Sequence, residues 1–273
     1  MATFSGSPKE SLKSLIRNKT LIISLVKRDV IIRYKGSLFG WLWSFLTPLF
    51  MLSVYTLVFG EILKVKWHSG GNEVPGQFAM LLFAGLIIFN MFSECINRSP
   101  ITILSNVNYV KKIVFPLEIL PVVTVLSTLF HAVVSLLVWV VVYMILFGLP
   151  HKTLLLAPVT LIPIVLLVSG FSFILSALGV FVRDINQVVG LICTGLMFLS
   201  PIFYPISSLP TQYQFIVSLN PLTLPIEEFR KVAFFGENPD LISISIYLVI
   251  AIWINFVGFY FFQKTRKAFA DVL

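Results

Sequence analysis

Charged residues are scarce in this sequence. Only 12% of its 273 residues are Asp, Glu, Lys or Arg, whereas 58% are hydrophobic. Soluble domains carry about 25% charged residues, so this composition excludes that class of protein. Because lipid offers no hydrogen bonds to a backbone, helices are the expected spanning form. We therefore predict an all-α integral membrane protein.

Cysteine and the common motifs of catalytic sites are also scarce. The two cysteines, Cys95 and Cys193, lie in predicted spans, which argues against a disulfide framework. No glycine is followed by lysine, so a phosphate-binding P-loop is absent, and neither a zinc spacing nor a Ser/His/Asp arrangement stands out. No Asp or Glu lies in the middle of a predicted span, where ion-coupled carriers usually place ionisable groups. We predict no enzyme activity, metal or cofactor in this chain, and a transport function would need an energy source on another subunit.

Six apolar segments approach the length of about 20 residues that a membrane-spanning helix needs. They are Leu38 to Gly60, Phe78 to Cys95, Ile119 to Phe147, Leu154 to Phe181, Ile185 to Tyr204 and Leu241 to Phe262. The third includes His131, for which we favour a structural hydrogen bond over a functional role. Small residues on one side of the fourth, Ser169, Ser172, Ser176 and Gly179, predict close helix packing.

The distribution of Lys and Arg predicts that both termini are cytoplasmic. Of the 20 such residues, fifteen fall on the side of the termini. The net charge of +8 is thus mainly a topology signal with some attraction to anionic lipid, and we predict no nucleic-acid partner. Within a cytoplasmic segment, residues 1–37, Ser11 to Ile32 alternate apolar residues with cations and predict an amphipathic interfacial helix. Residues 38–273 form the predicted transmembrane domain.

The connection between the second and third spans, from Ser99 to Pro121, has an apolar stripe at helical spacing. Ile103, Val107, Val110 and Val114 lie opposite Thr102, Asn106, Tyr109 and Lys112, which predicts a short amphipathic helix on the cytoplasmic side. Two interpretations stay open: an ordinary interfacial loop, and a lever by which a cytoplasmic partner moves the spans.

Four aromatic residues of the first span share one face of a regular helix: Trp41, Phe45, Tyr55 and Phe59. They are either an aromatic belt with lipid-facing bulk or a lining on which sugar rings slide. Later in the chain, Pro205 to Asp240 consists of apolar pieces interrupted by prolines. These pieces are too short to cross a membrane and predict half-helices on the outer side.

Four groups of residues, in the same order, resemble the polysaccharide-exporting ABC-2 permeases, and O-antigen export permeases most of all. The resemblance covers essentially the whole chain. The groups are Lys27, Arg28, Asp29, Arg33, Tyr34, Ser37, Leu38, Gly40, Trp41, Trp43 and Pro48; Asn106 to Pro121 with Lys111, Lys112, Phe115 and Pro116; Phe181 to Asp184; and Asn220, Pro221, Leu222, Thr223, Glu228 and Arg230.

This resemblance implies a homodimer of six-helix subunits in the bacterial inner membrane, served by two cytosolic ATP-binding subunits that hold ATP and Mg²⁺. The implied cargo is a glycan on undecaprenyl pyrophosphate. By the same resemblance, the aromatic residues line the path, and the coupling helix contacts the ATPase through Ile103, Val107, Tyr109, Val110 and Lys111. The pyrophosphate would meet cations at the inner mouth, Arg33, Lys35 and Arg98, and the outer gate would include Pro221, Glu228 and Arg230.

Three alternatives to an O-antigen exporter remain. The first is a permease for teichoic acid or capsule within the same superfamily. The second is a secondary carrier driven by an ion gradient. The third is a polytopic membrane enzyme, for which the sequence offers no cluster of acidic residues and histidines.

Overall fold

The computed structural model describes residues 8–64, 67, 76–111 and 115–273 and contains only helices, turns and loops in those ranges. The all-α membrane fold is confirmed. The helices are α1 (Pro8–Arg17), α2 (Lys19–Tyr34), α3 (Trp43–Tyr55), α4 (Gln77–Arg98), α5 (Val107–Lys111), α6 (Ile119–Phe147), α7 (Ala157–Phe181), α8 (Ile185–Leu199), α9 (Thr211–Ser218), α10 (Thr223–Arg230), α11 (Leu241–Thr265) and α12 (Phe269–Val272).

Five helical segments of the described chain are long and apolar enough to cross a membrane. They are Gly40–Ile62, Gln77–Ile101, Ile119–Phe147, Lys152–Phe181 and Leu241–Val272. The remaining predicted span is the shorter apolar helix α8, which ends at Leu199 and not at Tyr204. Pro201 and Pro205 explain the early end, because proline cannot donate the backbone hydrogen bond that continues a helix.

The N-terminal helix predicted from Ser11 to Ile32 is two helices, which meet at Asn18. The second helix, α2, is held by its apolar side. Its Ile22 and Leu25 are buried against Ile119 and Val123 of α6. Helix α2 is therefore attached to the third span at the end of the bundle that holds α1.

Helix α4 is the centre of the bundle. Every residue from Phe78 to Phe92 is buried except Asn90. Its outer half packs against α6, where the Trp139 indole nitrogen donates a hydrogen bond of 2.9 Å to the Met80 carbonyl oxygen. The apolar all-round character of α4 follows from this position, since a helix surrounded by protein has no face left for polar residues.

The small residues of α7 pack against the turn that follows α4. The Ser99 hydroxyl donates to the Ser172 hydroxyl at 2.8 Å, and the Ser176 hydroxyl donates to the Ser99 carbonyl oxygen at 3.0 Å. A Cβ atom at Gly179 would overlap the carbonyl group of Pro100. The stripe predicted to pack closely thus seats the start of the cytoplasmic connection on the fourth span.

We expect Gly179→Ala to lower the free energy of unfolding by about 1–3 kcal/mol, because the added methyl group meets backbone that cannot rotate away. Thermal unfolding of the detergent-solubilised protein measures the change. Gly195→Ala in α8 is the matched control, since nothing lies within 4 Å of a Cβ atom there. Equal melting temperatures for the two variants would contradict the close contact.

Candidate functional site

Four charged side chains meet where α2 crosses the inner end of α4. The Arg33 guanidinium lies 2.5 Å from a Glu94 carboxylate oxygen, and Arg98 lies 2.7 Å from Asp29 and 3.4 Å from Glu94. These groups are partly exposed, so each ion pair adds little to stability. Their arrangement nevertheless fixes the register of α2 against α4 and balances the two cations with two carboxylates.

The predicted inner-mouth cations are therefore not equivalent. Arg33 and Arg98 share the Glu94 carboxylate, whereas Lys35 is exposed and has no ion pair within the described ranges. Of the two carboxylates, Asp29 was named only within the family resemblance, and Glu94 escaped the sequence analysis. A signal for Glu94 was available: it lies at the end of a predicted span and four residues before Arg98, a spacing at which opposite charges on a helix meet.

The four aromatic residues of the first span do not lie on one regular α-helix. Trp41 belongs to the 3-10 turn Gly40–Leu42, and Phe59 belongs to the π-helical segment Thr56–Ile62. Trp41 is 66% exposed, whereas Tyr55 and Phe59 are half-buried against the core. A 3-10 turn and a π-helical segment change the directions in which side chains project from a helix. The four residues, which a period of 3.6 residues places on one face, therefore form two separate pairs, Trp41 with Phe45 and Tyr55 with Phe59.

A chamber of about 550 Å³ lies between α2, α3, α4 and α6. Tyr55 is the aromatic residue of the predicted path that reaches it. Hydrogen-bonding side chains come from all four helices. They are Arg33, Tyr34, Ser44, Thr47, Asn90, Ser93, Glu94, Thr128, His131 and Ser135. His131 Nδ1 lies 3.3 Å from the Tyr34 hydroxyl, which agrees with the structural hydrogen bond favoured for this histidine.

The connection after α4 is a series of short turns, contrary to the single helix predicted. The 3-10 turns Ser99–Ile101 and Leu104–Asn106 precede α5. Both Thr102 and Ile103 are buried, although the stripe put them on opposite sides. Both residues are buried because helices enclose this turn on two sides. The Thr102 hydroxyl lies 3.3 Å from the Thr124 hydroxyl of α6, and Ile103 packs with α7 and α11.

Helix α5 carries the other coupling residues and is the exposed part of this connection. Val107 and Val110 are half-buried, and the Tyr109 ring stacks on Phe115 with centroids 4.4 Å apart. The Tyr109 hydroxyl accepts a hydrogen bond of 2.9 Å from Arg28, and Lys111 contacts the backbone oxygen of Leu273. Val114 of the predicted stripe and Lys112 of the opposite side lie outside the described residues.

Both ends of the chain join at Glu118, the residue before α6. One Glu118 carboxylate oxygen accepts a hydrogen bond of 2.7 Å from Ser14, and the other lies 2.6 Å from Arg266. Arg266 also donates to the Phe115 carbonyl oxygen at 2.7 Å. A displacement of the connection would therefore be passed to α1 and to the end of α11.

At the opposite end of the bundle, Arg230 is fully buried below the outer half-helices. Its guanidinium donates to the carbonyl oxygens of Leu81, Pro201 and Ile202 at 2.9, 2.5 and 3.0 Å, and to Glu227 at 3.0 Å. The Trp67 ring covers it at 4.4 Å. Of the predicted gate residues, this one links the most segments of the chain.

The two remaining gate residues also bond to neighbouring segments. The Pro221 carbonyl oxygen accepts a hydrogen bond of 2.8 Å from Tyr247 in α11. Glu228 accepts hydrogen bonds from Lys231 at 2.5 Å and from the Asp240 backbone nitrogen at 2.8 Å. The hydrogen bond to Glu228 raises the pKa of Lys231 above its usual value, because it stabilises the charged ammonium group.

The chain is thus a multi-pass helical membrane protein with a polar chamber between its spans and, between α4 and α6, a connection that is hydrogen-bonded to several helices. Its residues 20–234 match the family model of ABC-2 type transporters, and the chain belongs to that family.

Three named relatives match nearly the whole chain. It is 27% identical over 255 residues to the O-antigen export system permease protein RfbA of Klebsiella pneumoniae, which covers 93% of this chain and 95% of the relative. The protein of the same name from Myxococcus xanthus is 26% identical over 95% of this chain and 98% of its own length. The polysialic acid transport protein KpsM of Escherichia coli is 25% identical over 92% of this chain and 95% of its own length.

We expect Arg230→Met to be strongly destabilising, because each buried carbonyl oxygen left without a donor costs about 1–3 kcal/mol. The yield of monodisperse protein and the rate of tryptic digestion measure the loss. Arg183→Met is the matched control, because it removes the same type of side chain at an exposed position that has no hydrogen bond or ion pair within the described ranges. A variant at Arg230 as stable as this control would show that the carbonyl contacts are dispensable.

Proposed function

We propose that this chain is the permease subunit of an ATP-driven exporter. Its cargo in this proposal is a lipid-linked polysaccharide of the O-antigen type, moved from the cytoplasmic to the outer side of a bacterial inner membrane. The observation that carries the proposal is the match to relatives named O-antigen export permeases over more than nine-tenths of the chain. Membership of the ABC-2 type transporter family supports a partner that supplies energy from ATP.

The cytoplasmic connection is suited to receive the force of such a partner. Its first turn is hydrogen-bonded to α7 through Ser99, and its last residue, Glu118, is bonded to both chain ends. Between these two attachments, α5 presents half-buried Val107 and Val110 and the exposed Lys111. A push on α5 would therefore move α1, α6, α7 and α11 together, since well-packed contacts transmit strain.

The remaining parts of the proposal concern the assembly and the cargo. Two copies of the chain would pair in the membrane with both termini in the cytoplasm, and two cytosolic subunits would bind ATP and Mg²⁺. The glycan would enter on undecaprenyl pyrophosphate, whose charge would be met at the inner mouth by Lys35, Arg33 and Arg98. The two arginines would have to exchange a carboxylate partner for the phosphate groups.

A capsule exporter is the second candidate function. The relative named polysialic acid transport protein, with 25% identity over 92% of this chain, favours it specifically. The two functions share the architecture and differ in the glycan. Analysis of the surface polysaccharide in cells that lack this chain distinguishes them.

We expect Val107→Asp to uncouple export from ATP hydrolysis. A carboxylate at this half-buried position would be drawn towards water and would displace α5 from its seat. Export of labelled glycan should fall about tenfold, the equivalent of 1.4 kcal/mol, while ATP hydrolysis by the purified complex continues. Membrane insertion should be unaffected, because α5 lies outside the spans.

Asn108→Asp is the matched control, since it adds the same charge at the exposed neighbouring position. Export by the Val107→Asp variant at the control rate would remove the coupling role. Co-purification from native membranes tests the partner itself: a nucleotide-binding protein should accompany the wild-type chain. Transport by the purified chain alone, driven by an ion gradient without ATP, would overturn the proposed function in favour of a secondary carrier.

A further inference from the structure

We propose that the chamber between α2, α3, α4 and α6 is a binding subsite for an uncharged, hydroxyl-rich sugar unit, present in each copy of the chain. The inference rests on the proposed function, since it assumes that the cargo is a glycan. It places sugar binding within one chain, between the first three long spans. This position differs from the aromatic face that the sequence pattern favoured.

Asn90 is the first argument. It is the one exposed residue between Phe78 and Phe92 in the most buried span, and it lines the chamber. Its side-chain amide has no hydrogen-bond partner among the described residues. It lies eight residues before Arg98, about 12 Å from the inner end of α4 at 1.5 Å per residue. A side-chain amide at this depth raises the free energy of the protein unless water or a polar ligand forms hydrogen bonds with it.

The other walls offer the same chemistry. Thr47 projects from α3 with its hydroxyl unpaired within the described chain, and Tyr55 of the same helix and Tyr34 of α2 add phenol groups. Ser135 lines the side of α6. Hydroxyl and amide groups beside aromatic rings match a sugar, which has hydroxyl groups around its edge and C–H groups on its faces.

The charge of the chamber suits an uncharged guest. Its guanidinium, Arg33, lies 2.5 Å from the Glu94 carboxylate, which also borders the cavity, so the two charges balance each other. A phosphate group would first have to displace this carboxylate, which is the exchange proposed for the inner mouth, whereas a neutral sugar unit needs no such exchange. An acyl chain fits no better, because it would leave Asn90 and Thr47 without partners.

The size of the chamber is also suitable. Its volume of about 550 Å³ lies within the range of roughly 300–1,000 Å³ that is typical of small-ligand sites. The cavity extends from Glu94 to Phe83 along α4, about 16 Å at 1.5 Å per residue. An elongated polar cavity of this kind has room for a short piece of a glycan and not for a folded chain of it.

Photo-crosslinking in cells that export their native glycan tests the inference. A diazirine amino acid at Ser135, which faces the chamber, should yield an adduct that stains for carbohydrate after purification. The matched control is the same amino acid at Leu137, which lies two residues further on α6 and is 53% exposed on another face. An adduct at Ser135 that contains only phospholipid, or equal carbohydrate labelling at Leu137, would overturn the proposal.

Substitution of Asn90 provides an independent measurement. Asn90→Leu, of similar size, should lower the rate of glycan export roughly three- to tenfold, as expected for the loss of one neutral hydrogen bond. Asn90→Gln should restore part of that rate, which a purely structural role of the position would not predict. Wild-type export by Asn90→Leu would overturn the subsite.

The two proposals fail in different ways. If cells without this chain export the glycan normally, the proposed function is wrong. If export depends on the chain while both Ser135 labelling and Asn90 substitution give the negative results, only the subsite is wrong.

Discussion

A single buried guanidinium holds the outer end of this protein together. Arg230 donates to the carbonyl oxygens of Leu81, Pro201 and Ile202, so it joins α4, the turn after α8 and the half-helix α10. The close approach requires Gly85, because a Cβ atom there would lie 2.8 Å from the Arg230 side chain. A charge removed from water this completely is tolerated because its donors are matched by oxygen atoms and its face by an aromatic ring. The short outer helices thereby become part of the bundle and are not loose loops above it.

The other end of the bundle, which holds both chain termini, is organised by a buried carboxylate. The Glu118 carboxylate, 5% exposed, joins α1 through Ser14 and the end of α11 through Arg266. Ser99, which is hydrogen-bonded to α7, and Glu118 hold the two ends of the connection, and α5 lies between them. The chamber lies between these two ends. The polar walls of the chamber lie beside the part of α4 that is no longer surrounded by apolar residues on every side. Each of the two ends of the bundle is thus bonded to several helices.

Sequence reasoning succeeded for features that depend on neighbouring residues and failed for features that depend on contacts between residues far apart in the chain. Hydropathy identified the spans, because a span depends on about 20 consecutive residues and the surrounding lipid. The proline-rich stretch after α8 was correctly interpreted as short helices for a similar local reason. The stripe of the cytoplasmic connection was misread, since burial of Thr102 depends on Thr124, twenty-two residues away in sequence and on another helix. The aromatic face of the first span was extrapolated across a 3-10 turn and a π-helical segment that a uniform period cannot represent.

The sequence by itself determined that this chain is a helical membrane protein, roughly where its spans lie and which family it resembles. Those properties follow from the free energy that is needed to place a charge or an unpaired backbone group in lipid. That free energy depends on each residue and its near neighbours and not on residues far away in the sequence. Only the tertiary structure decided which charges pair and what surrounds each polar side chain. Glu94 meets Arg33 across 61 residues, Glu118 meets Arg266 across 148, and Asn90 faces a cavity that four helices create together. No local pattern contains these relations, because they arise only when separate helices pack side by side.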